Sequence, residues 1–569
     1  MNLLIVCILI SVVDSLLANP SVQTHYGTIL GSIEDFEGHQ VERYLGIPFA
    51  QPPIGQLRFQ KPAKLIQSLN VVLNATKWPN SCLQSNPFLE LLKYKSSIIS
   101  EDCLYLNVWK PVVSDQAKTK SSLKPVLVYI YGGSFYIGSS SQLIYNGLPL
   151  AALGQVVMVT LNYRLGALGF VNGGHRDTPG NLAIHDQLAA LNWIKDNIEN
   201  FGGDPSRVTV FGESAGSISV GVLLFSPLAK DLFTNAILMS GSPMISHQMI
   251  KTKQESIDIT LALAEKVGCQ SKSKIGQLIT RIRNKVTESV SDKVIDCLRT
   301  INGSDILKAQ SEILTEFSMP YSPYVGDDVF PLSPSDALQK NQFKTNFSLM
   351  VGVVTYEGSI VEDDMRKYPE LVPLLSNGTK QQWRDALVDK IRALPNKVSN
   401  VEGVADFYFN SIADDPETSR QTFATAMGDY FLGCPTLLTG EKLAKASDDV
   451  RAYGYHFSYK SDSRGTNNGY NVICKNKKGV CHATELQYVF GYPLIATNEE
   501  FHDQDTAISR EMIKIWTDFA KTGETEWPSY FKAATSVVPM NYELNPLVEN
   551  KVTNDYNYLK CKLWEPFLF

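Results

Sequence analysis

Residues 212–216 read Gly-Glu-Ser-Ala-Gly and place Ser214 between two glycines. A serine hydroxyl is a weak nucleophile by itself, so it needs a base that removes its proton and a backbone that presents it. The Gly-x-Ser-x-Gly pattern is typical of a sharp turn between a strand and a helix, with the serine exposed at the bend. We therefore predict that Ser214 is a catalytic nucleophile. The alternative is a glycine-rich helix start that carries no chemistry.

An attack by Ser214 on a carbonyl group would place negative charge on an oxygen atom, and that charge requires fixed hydrogen-bond donors. The amide of Ala215, the residue after the serine, is one expected donor. Others should come from a glycine-rich loop that follows an earlier strand, and residues 131–135, Tyr-Gly-Gly-Ser-Phe, fit this description. An ordinary turn is the alternative interpretation of this loop.

The segments around these two turns alternate between strand-like and helix-like patterns. Near-continuous apolar runs, typical of strands buried on both faces, occupy residues 126–131, 155–161, 207–211, 235–239 and 349–354. Helical patterns cover residues 181–200 and a later segment whose apolar face consists of Ile508, Met512, Ile515 and Phe519. Lys521 and Gly523 are typical of the end of that helix. This alternation predicts an α/β fold, with a central, mostly parallel twisted sheet flanked by helices.

The composition of the 569-residue chain is that of a globular protein, with 44% hydrophobic residues and a net charge of −6 from 52 basic and 58 acidic side chains. So mild an acidic balance offers no surface for nucleic acid, and no run of Lys and Arg is dense enough to bind a membrane surface. No stretch after residue 20 approaches the roughly 18 apolar residues that a membrane span needs. Because no linker divides the chain, we expect a single large domain, with the more polar segment 269–315 decorating the sheet.

The first twenty residues differ from the rest of the chain. An apolar run from Leu3 to Val13 is followed by small residues near Ala18. This pattern indicates a secretory signal peptide over residues 1–18 and a mature domain over residues 19–569. A retained membrane anchor is the alternative, because the start of the chain lacks Lys and Arg. We expect a secreted, extracellular protein.

The cysteines agree with an oxidising environment. Nine are present, and Cys7 would leave with the signal peptide, so that an even number remains. No Cys-x-x-Cys pair and no His-Glu-x-x-His motif occurs, so the sequence does not support a zinc site. Sequons for asparagine glycosylation stand at Asn74, Asn302, Asn346 and Asn377.

Several segments together resemble the type-B carboxylesterase/cholinesterase family. They are residues 43–53 (RYLGIPFAQPP), 101–109 (EDCLYLNVW), 162–165 (NYRL), 200–205 (NFGGDP) and 516–523 (WTDFAKTG). The matching motifs run almost from end to end of the chain, and their combination is highly specific. The resemblance implies the α/β-hydrolase fold and the hydrolysis of small-molecule carboxylic esters by a serine enzyme without a metal or cofactor.

The family's triad order of serine, glutamate and histidine identifies two further residues. Glu357 follows the last of the predicted strands, and active-site residues gather at such strand ends. His482 closes the segment 479–482, which resembles the family's Gly-x-x-His motif. By the resemblance, His482 would remove the Ser214 proton, while Glu357 would orient the imidazole and stabilise its positive charge.

The resemblance also assigns supporting groups around the triad. The oxyanion donors would be the amides of Gly133, Ser134 and Ala215. Ser134 stands where the family usually has a third glycine, but only its amide is needed. Ser240 matches a supporting serine near the triad, and a simple turn residue is an equal alternative. Two later histidines are predicted to be non-catalytic, one in a strand-like run and one in a polar stretch: His456 and His502.

The family pattern pairs six of the cysteines, as Cys82–Cys103, Cys269–Cys297 and Cys434–Cys561. Cys474 and Cys481 are left over, and we expect them to pair with each other. That bond would brace the loop that carries His482.

Two differences from cholinesterases bear on the substrate. Those enzymes bind a quaternary ammonium group against aromatic faces, but residues 91–95 contain no Trp, and Ile360 stands at the aromatic position after the catalytic glutamate. These replacements argue against choline specificity. Phe317 and Met319 resemble the acyl-pocket loop and would favour small or medium acyl groups, with core packing as the alternative.

These features predict a secreted serine carboxylesterase that works through an acyl-enzyme. One alternative is a cholinesterase, and another is a non-catalytic adhesion ectodomain that resembles neuroligins. The adhesion proteins usually lack the serine or the histidine and add a membrane span, which we do not expect here. A juvenile-hormone-type esterase is less favoured, because that group often has Gln at the position of Glu213.

Overall fold

The computed structural model describes most of the 569-residue chain. The described residues are 19–66, 71–84, 98–112, 123–175, 177–244, 249–270, 289–316, 319–394, 396, 400–463, 474, 479–496, 501–530, 538–554 and 556–569. The expected signal peptide, residues 1–18, lies outside this part of the chain. In the described part, no helix combines the length and the apolar character that a membrane crossing requires.

One sheet of eleven strands organises the molecule. In chain order its strands are β1 (Ser32–Phe36), β2 (His39–Pro48), β3 (Tyr105–Pro111), β4 (Lys124–Ile130), β5 (Val157–Leu161), β6 (Gly203–Glu213), β7 (Asn235–Met239), β8 (Phe347–Val354), β9 (Val450–Phe457), β10 (Met540–Leu544) and β11 (Val552–Asn554). In space they follow the order β11-β10-β9-β8-β7-β6-β4-β5-β3-β2-β1.

The direction of the strands changes across the sheet. The neighbouring pairs from β10 to β5 are all parallel, whereas β11 at one end and β3, β2 and β1 at the other pair antiparallel. The sheet is therefore mixed, with a parallel centre and antiparallel edges. This arrangement places the carboxyl ends of the central strands at one edge, where loops can bring side chains from distant segments together.

The central strands are the ones that the apolar runs predicted. Every residue of β5, β7 and β8 is buried, as expected for strands covered on both faces. The strand predicted over residues 207–211 extends over the whole of β6, because Gly212 pairs with Ile130 and Glu213 pairs with Met239 of the neighbouring strands. Glycine ends the apolar pattern here but does not end the pairing.

Helices flank the sheet. In chain order they are α1 (Leu148–Gly154), α2 (Gly166–Phe170), α3 (Leu182–Asn197), α4 (Ala215–Phe225), α5 (Lys253–Lys266), α6 (Asp292–Thr300), α7 (Gly303–Glu316), α8 (Pro334–Gln339), α9 (Ser359–Asp364), α10 (Leu374–Asn377), α11 (Lys380–Arg392), α12 (Val401–Phe409), α13 (Pro416–Gly428), α14 (Cys434–Ala446), α15 (Leu486–Val489), α16 (Tyr492–Ile495), α17 (Asp503–Thr522) and α18 (Tyr556–Leu568). A π-helical turn, Asp429–Gly433, joins α13 to α14.

Smaller elements complete the described chain. A three-stranded sheet contains Ser21–Thr24, Gly27–Leu30 and Val72–Asn74. Two-stranded pairs join Ser81–Cys82 with Ile99–Ser100, Asn172–His175 with Thr178–Pro179, and Lys251–Thr252 with Tyr324–Val325. Single 3₁₀ turns occupy Gly55–Leu57, Leu143–Tyr145, Ile198–Phe201, Pro227–Ala229 and Met365–Lys367.

Both predicted helices are present. The helix predicted over residues 181–200 is α3, which continues into the 3₁₀ turn Ile198–Phe201. The helix α17 ends at the predicted signal, since Gly523 adopts a φ of 68° and its amide donates to the Phe519 carbonyl at 2.7 Å.

Four disulfides cross-link the described residues. They join Cys82 to Cys103, Cys269 to Cys297, Cys434 to Cys561 and Cys474 to Cys481. The last bond closes the shortest loop, with a sequence separation of 7 residues.

Candidate active site

Ser214 occupies the single residue between β6 and α4. Its backbone has a φ of 56° and a ψ of −122°, a conformation that non-glycine residues rarely adopt. The surrounding structure holds it there, because the Ser214 amide donates to the Met239 carbonyl at 2.9 Å and the Ser214 carbonyl accepts from the Ile218 amide at 2.9 Å. The predicted strand–turn–helix junction is thus present, with the serine at the bend.

Two glycines let neighbouring backbone approach this turn. A Cβ atom added at Gly216 would lie 2.0 Å from the Ile130 carbonyl oxygen. A Cβ atom added at Gly132 would lie 2.5 Å from the Glu213 carbonyl oxygen and 3.0 Å from the Ser214 Cβ atom. The loop of residues 131–135 therefore packs directly against the serine, as an oxyanion loop must.

The three predicted oxyanion donors are amides with no hydrogen-bond acceptor in the described part of the protein. Among the described residues, the amides of Gly133, Ser134 and Ala215 donate no hydrogen bond to another protein group. Gly133 has a φ of 112° and Ser134 a φ of 56°, so this loop turns its backbone in a region that favours glycine. The side chain of Ser134 is exposed.

Glu357 lies in the turn after β8, where the sequence predicted it. Its Oε1 atom accepts a hydrogen bond from the Val354 amide at 3.0 Å, and its side chain is 2% exposed. The turn can pack this tightly because Gly358 meets Gly428 of α13. A Cβ atom on Gly428 would lie 2.2 Å from the Gly358 nitrogen.

His482 contacts two glutamates. Its Nδ1 atom lies 2.7 Å from the Glu357 Oε2 atom. Since a carboxylate can only accept, Nδ1 carries the proton in this bond. The Nε2 atom lies 2.9 Å from the Glu213 Oε1 atom, although this contact is not aligned as a hydrogen bond. The histidine side chain is 8% exposed, so water screens these charges little.

The structure thus brings His482 and Glu357 into direct contact and places His482 beside the neighbour of the serine. It does not join His482 to Ser214, because Nε2 makes no hydrogen bond among the described residues. Catalytic hydrogen bonds are often long or misaligned in free enzymes and tighten when substrate binds.

The charges around the histidine alter its acidity. Burial by itself lowers the pKa of His482, but the negative charges of Glu213 and Glu357 outweigh burial and raise that pKa well above the usual histidine range. Burial also raises the pKa of Glu213, and the charge of His482 opposes this effect. A histidine between two buried carboxylates is suited to hold a proton and to release it at a higher pH than a free imidazole.

Two residues at this site carry no signal in the motif analysis. Glu485, three residues after His482, is fully buried, and burial together with the charges of Glu213 and Glu357 raises its pKa well above the usual range. Ser359, two residues after Glu357, accepts a hydrogen bond from the His482 amide at 3.0 Å. Their fixed spacing from the triad residues is the only sequence signal that could have identified them.

The other predicted site residues are placed as follows. Ser240 is buried with a φ of 53°, and its amide donates to the Gly352 carbonyl at 2.9 Å, while its hydroxyl has no hydrogen-bond partner among the described residues. Met319 is half-buried with a φ of 48°. Ile360 is 39% exposed in the first turn of α9. The acyl-pocket residue Phe317 and residues 91–95 lie outside the described residues.

The remaining late histidines contact carboxylates outside the triad candidates. His456 lies in β9, and its Nδ1 atom is 3.0 Å from Glu543 Oε2. His502 precedes α17, and its side chain is 51% exposed. Both have the structural surroundings that the sequence predicted.

One group in the described residues could hold a cation by the types of its side chains: His185, Asp327 and Asp328. Protein groups already contact both of these carboxylates. The Lys61 ammonium lies 2.5 Å from Asp328, and the Asn181 amide group donates to Asp327 at 3.0 Å. Burial, together with the charge of Lys61, lowers the pKa of His185 to about 3. The triad candidates take no part in this group.

Comparisons with known proteins identify the family of the chain. The sequence profile of the carboxylesterase family matches residues 18–564. The chain is 33% identical over 538 residues to carboxylesterase 1C of Mus musculus, covering 90% of this chain and 87% of that protein. It is 31% identical over 566 residues to acetylcholinesterase-1 of Trittame loki, covering 96% and 94%. It is also 31% identical over 575 residues to a cholinesterase of Mus musculus, covering 96% and 86%.

These matches span nearly the whole chain. The protein is a carboxylic ester hydrolase and belongs to the carboxylesterase family.

Proposed function

We propose that the chain is a secreted serine carboxylesterase, with a single catalytic domain of the α/β-hydrolase fold over residues 19–569, acting on uncharged carboxylic esters. The observation that carries the proposal is the 2.7 Å contact between His482 Nδ1 and Glu357 Oε2. The second ring nitrogen lies 2.9 Å from Oε1 of Glu213, the residue before Ser214. The free amides of the oxyanion loop lie against the same serine.

The first half of the proposed reaction forms an acyl-enzyme. The Ser214 Oγ atom attacks the ester carbonyl carbon while His482 Nε2 takes its proton, and Glu357 stabilises the imidazolium. The carbonyl oxygen becomes an oxyanion that accepts hydrogen bonds from the amides of Gly133, Ser134 and Ala215, each worth about 3–4 kcal/mol. The bond to the alcohol oxygen then breaks, and the imidazolium gives its proton to the leaving alcohol.

The second half releases the acid. A water molecule gives its proton to His482 and attacks the acyl carbon, which regenerates an oxyanion at the same three amides. The bond to Ser214 Oγ breaks, the imidazolium returns its proton to that oxygen, and the carboxylic acid leaves. The proposed cycle uses only side chains and amides of this chain, so no cofactor is part of the proposal.

An uncharged substrate is proposed because one aromatic face that would bind choline is missing. Ile360, which stands three residues after Glu357, has no π-face to attract a quaternary ammonium group. The relatives do not decide the question, since they include cholinesterases as well as a carboxylesterase. A cholinesterase therefore remains the second candidate function.

The triad is tested by Ser214→Ala. Turnover of p-nitrophenyl acetate should fall by about four to six orders of magnitude, because no other group can form the acyl-enzyme. Thermal unfolding should stay near wild type. Ser206→Ala, which changes an exposed serine of the same strand, should leave turnover unchanged. Retained turnover in Ser214→Ala would place the nucleophile elsewhere.

The substrate class is tested with two thioesters of similar size, acetylthiocholine and phenyl thioacetate. We expect kcat/KM for the uncharged ester to equal or exceed that for the charged one. A preference for acetylthiocholine of about tenfold or more, equal to the 1.4 kcal/mol that a cation–π contact supplies, would support the cholinesterase instead.

Secretion is supported by surface features. All four sequon asparagines are exposed in the structure: Asn74, Asn302, Asn346 and Asn377. The four disulfides are of the kind that persists outside the cytosol. Expression in a secretory host should yield active protein in the medium whose apparent mass falls on treatment with an N-glycosidase. Active protein retained in the cell without glycans would contradict this part of the proposal.

A further inference from the structure

The histidine segment, residues 479–482, lies along the turn that carries Glu357. The Tyr356 amide donates to the Val480 carbonyl at 2.9 Å, and Tyr356 forms a parallel bridge with Cys481. Both Tyr356 and Val480 are buried. The two chain segments that supply the base and its carboxylate are therefore paired as a very short piece of parallel sheet.

Ser359 makes a second connection between these segments. Its Oγ atom accepts from the His482 amide at 3.0 Å, and its own amide donates to the Tyr356 carbonyl at 3.2 Å. The side chain is almost completely buried, with 2% of the residue exposed. The hydroxyl of Ser359 thus fixes the main chain of His482 itself, rather than the imidazole ring.

The disulfide between Cys474 and Cys481 anchors the residue before His482. Both cysteines are buried, and the Cys474 Sγ atom lies 3.6 Å from the Gly479 carbonyl oxygen. The covalent bond restrains the segment at a point where the described backbone hydrogen bonds are few. Without it, Cys481 would be held by the bridge to Tyr356 and by hydrogen bonds to its carbonyl group.

The chain is also restrained directly after His482. Ala483 adopts a φ of 68°, which is unfavourable for a residue with a side chain. The Thr484 hydroxyl and amide both donate to the Cys481 carbonyl, at 2.6 Å and 3.1 Å. This sharp turn aims the histidine back toward the two glutamates, and the disulfide and Ser359 hold the turn in place.

We infer that Ser359 and the Cys474–Cys481 disulfide are positioning elements for catalysis, which hold His482 between Glu213 and Glu357. This inference rests on the proposed function, in which His482 is the base. Neither element contacts the reacting atoms. Their effect passes through the main chain of the histidine segment, where a displacement of about 1 Å can lower a rate about a hundredfold.

The experiment compares Ser359→Ala and the double variant Cys474→Ser/Cys481→Ser with wild type, using p-nitrophenyl acetate. We expect kcat to fall about tenfold in the first and about ten- to a hundredfold in the second, with KM within about twofold. The acidic limb of the kcat profile should also move to lower pH, because a loosened imidazole lies farther from the charges of Glu213 and Glu357.

Matched controls remove similar groups at a distance from the triad. Thr260 is a buried hydroxyl residue whose Oγ1 atom accepts from the Asn172 amide at 2.9 Å. Thr260→Val removes that acceptor and should leave kcat and its pH profile unchanged. Cys269→Ser/Cys297→Ser removes another disulfide and should lower thermal stability without changing kcat at 25 °C. Melting temperatures are measured for all variants.

Each outcome decides the inference. If the Cys474→Ser/Cys481→Ser variant fails to fold, the test rests on two measurements. One is Ser359→Ala, and the other is kcat of folded wild-type enzyme after a phosphine reductant has reduced its disulfides. Variants that lose stability but keep kcat and the pH profile would show that both elements are merely structural, and would overturn the inference. Retained turnover in His482→Ala would overturn the proposed function instead, so the two failures are distinguishable.

Discussion

The nucleophile turn, residues 212–216, and the histidine segment, residues 479–482, are held in different ways. The nucleophile turn joins β6 to α4 with only Ser214 between them, and its tight geometry depends on the absence of side chains at its glycines. The histidine segment belongs to no strand of the large sheet. Its restraints come from a disulfide and from a serine that lies far away in sequence.

The geometry of the nucleophile turn is thus determined by adjacent residues, whereas that of the histidine segment is determined by residues far away in sequence. A strand followed at once by a helix forces a particular turn, so the sequence near Ser214 specifies the position of its hydroxyl. The position of an imidazole at the end of a loop is specified only by what the loop contacts. We therefore expect the nucleophile turn to be damaged by added volume and the histidine segment by lost contacts.

The largest effect is expected from Gly216→Ala. The added methyl group would lie 2.0 Å from the Ile130 carbonyl oxygen, so strand and helix must separate. We expect kcat/KM for p-nitrophenyl acetate to fall at least about a hundredfold, since the oxyanion loop follows the same strand. Unfolding free energy should decrease by about 1–3 kcal/mol, as is usual for overpacked sites.

Gly268→Ala is the control for the added methyl group. Gly268 has a φ of 78°, and a Cβ atom there would meet nothing within 4 Å. This variant should lose about 1 kcal/mol of stability from backbone strain and keep wild-type kcat/KM. If Gly216→Ala behaved in the same way, tight contact at the nucleophile turn would not be what maintains activity.

A smaller effect on activity is expected from Glu213→Gln, because Glu213 lies in the nucleophile turn and contacts His482 of the histidine segment. The histidine must be neutral to act as a base, so activity rises as pH increases through the pKa of His482. Since Glu213 and Glu357 raise that pKa, we expect the rising limb of wild type above pH 6–7, the range of an ordinary histidine. Removing the charge of Glu213 should move the limb to lower pH.

The measurement is kcat against pH between 5 and 9 for wild type and Glu213→Gln. Glu526→Gln, a change of an exposed carboxylate, is the control and should leave the limb in place. A limb that stays fixed in Glu213→Gln would mean that the glutamate on the serine side does not set the acidity of the base. A pH-independent rate would contradict His482 as the base.

The smallest effect is expected from Ser134→Gly. Only the amide of this residue takes part in the proposed oxyanion hole, and its φ of 56° suits glycine better than serine. We expect kcat to change by less than about threefold. The relief of backbone strain should be offset by the greater freedom of glycine in the unfolded chain, so the melting temperature should change little. A tenfold loss would assign a role to the hydroxyl.

The sequence predicted the central strands well and their edges less well. Long apolar runs indicated β5, β7 and β8, because strands buried on both faces favour apolar residues at nearly every position. The antiparallel strands at the two ends make the sheet mixed, and the sequence analysis did not predict them. Edge strands are partly exposed, so their sequences lack the continuous apolar signal.

At the candidate site, the motif analysis named residues that the structure brings together, and missed the ones that hold them. His482 and Glu357 lie in contact, whereas Ser359 and Glu485 were not singled out. Apart from its closeness in sequence to a triad candidate, neither residue belongs to a motif that reveals its partner. Its role depends on which backbone amide or charge the fold places beside it.

The amino-acid sequence by itself determined the chemistry available to this protein, since the glycines around Ser214 allow only one sharp turn between strand and helix. Which main-chain contacts hold His482, and how strongly two carboxylates hold its proton, was decided only by the tertiary structure. The physical reason is distance. Turn geometry depends on neighbouring residues, whereas burial and charge interactions depend on groups that become neighbours only when the sheet assembles.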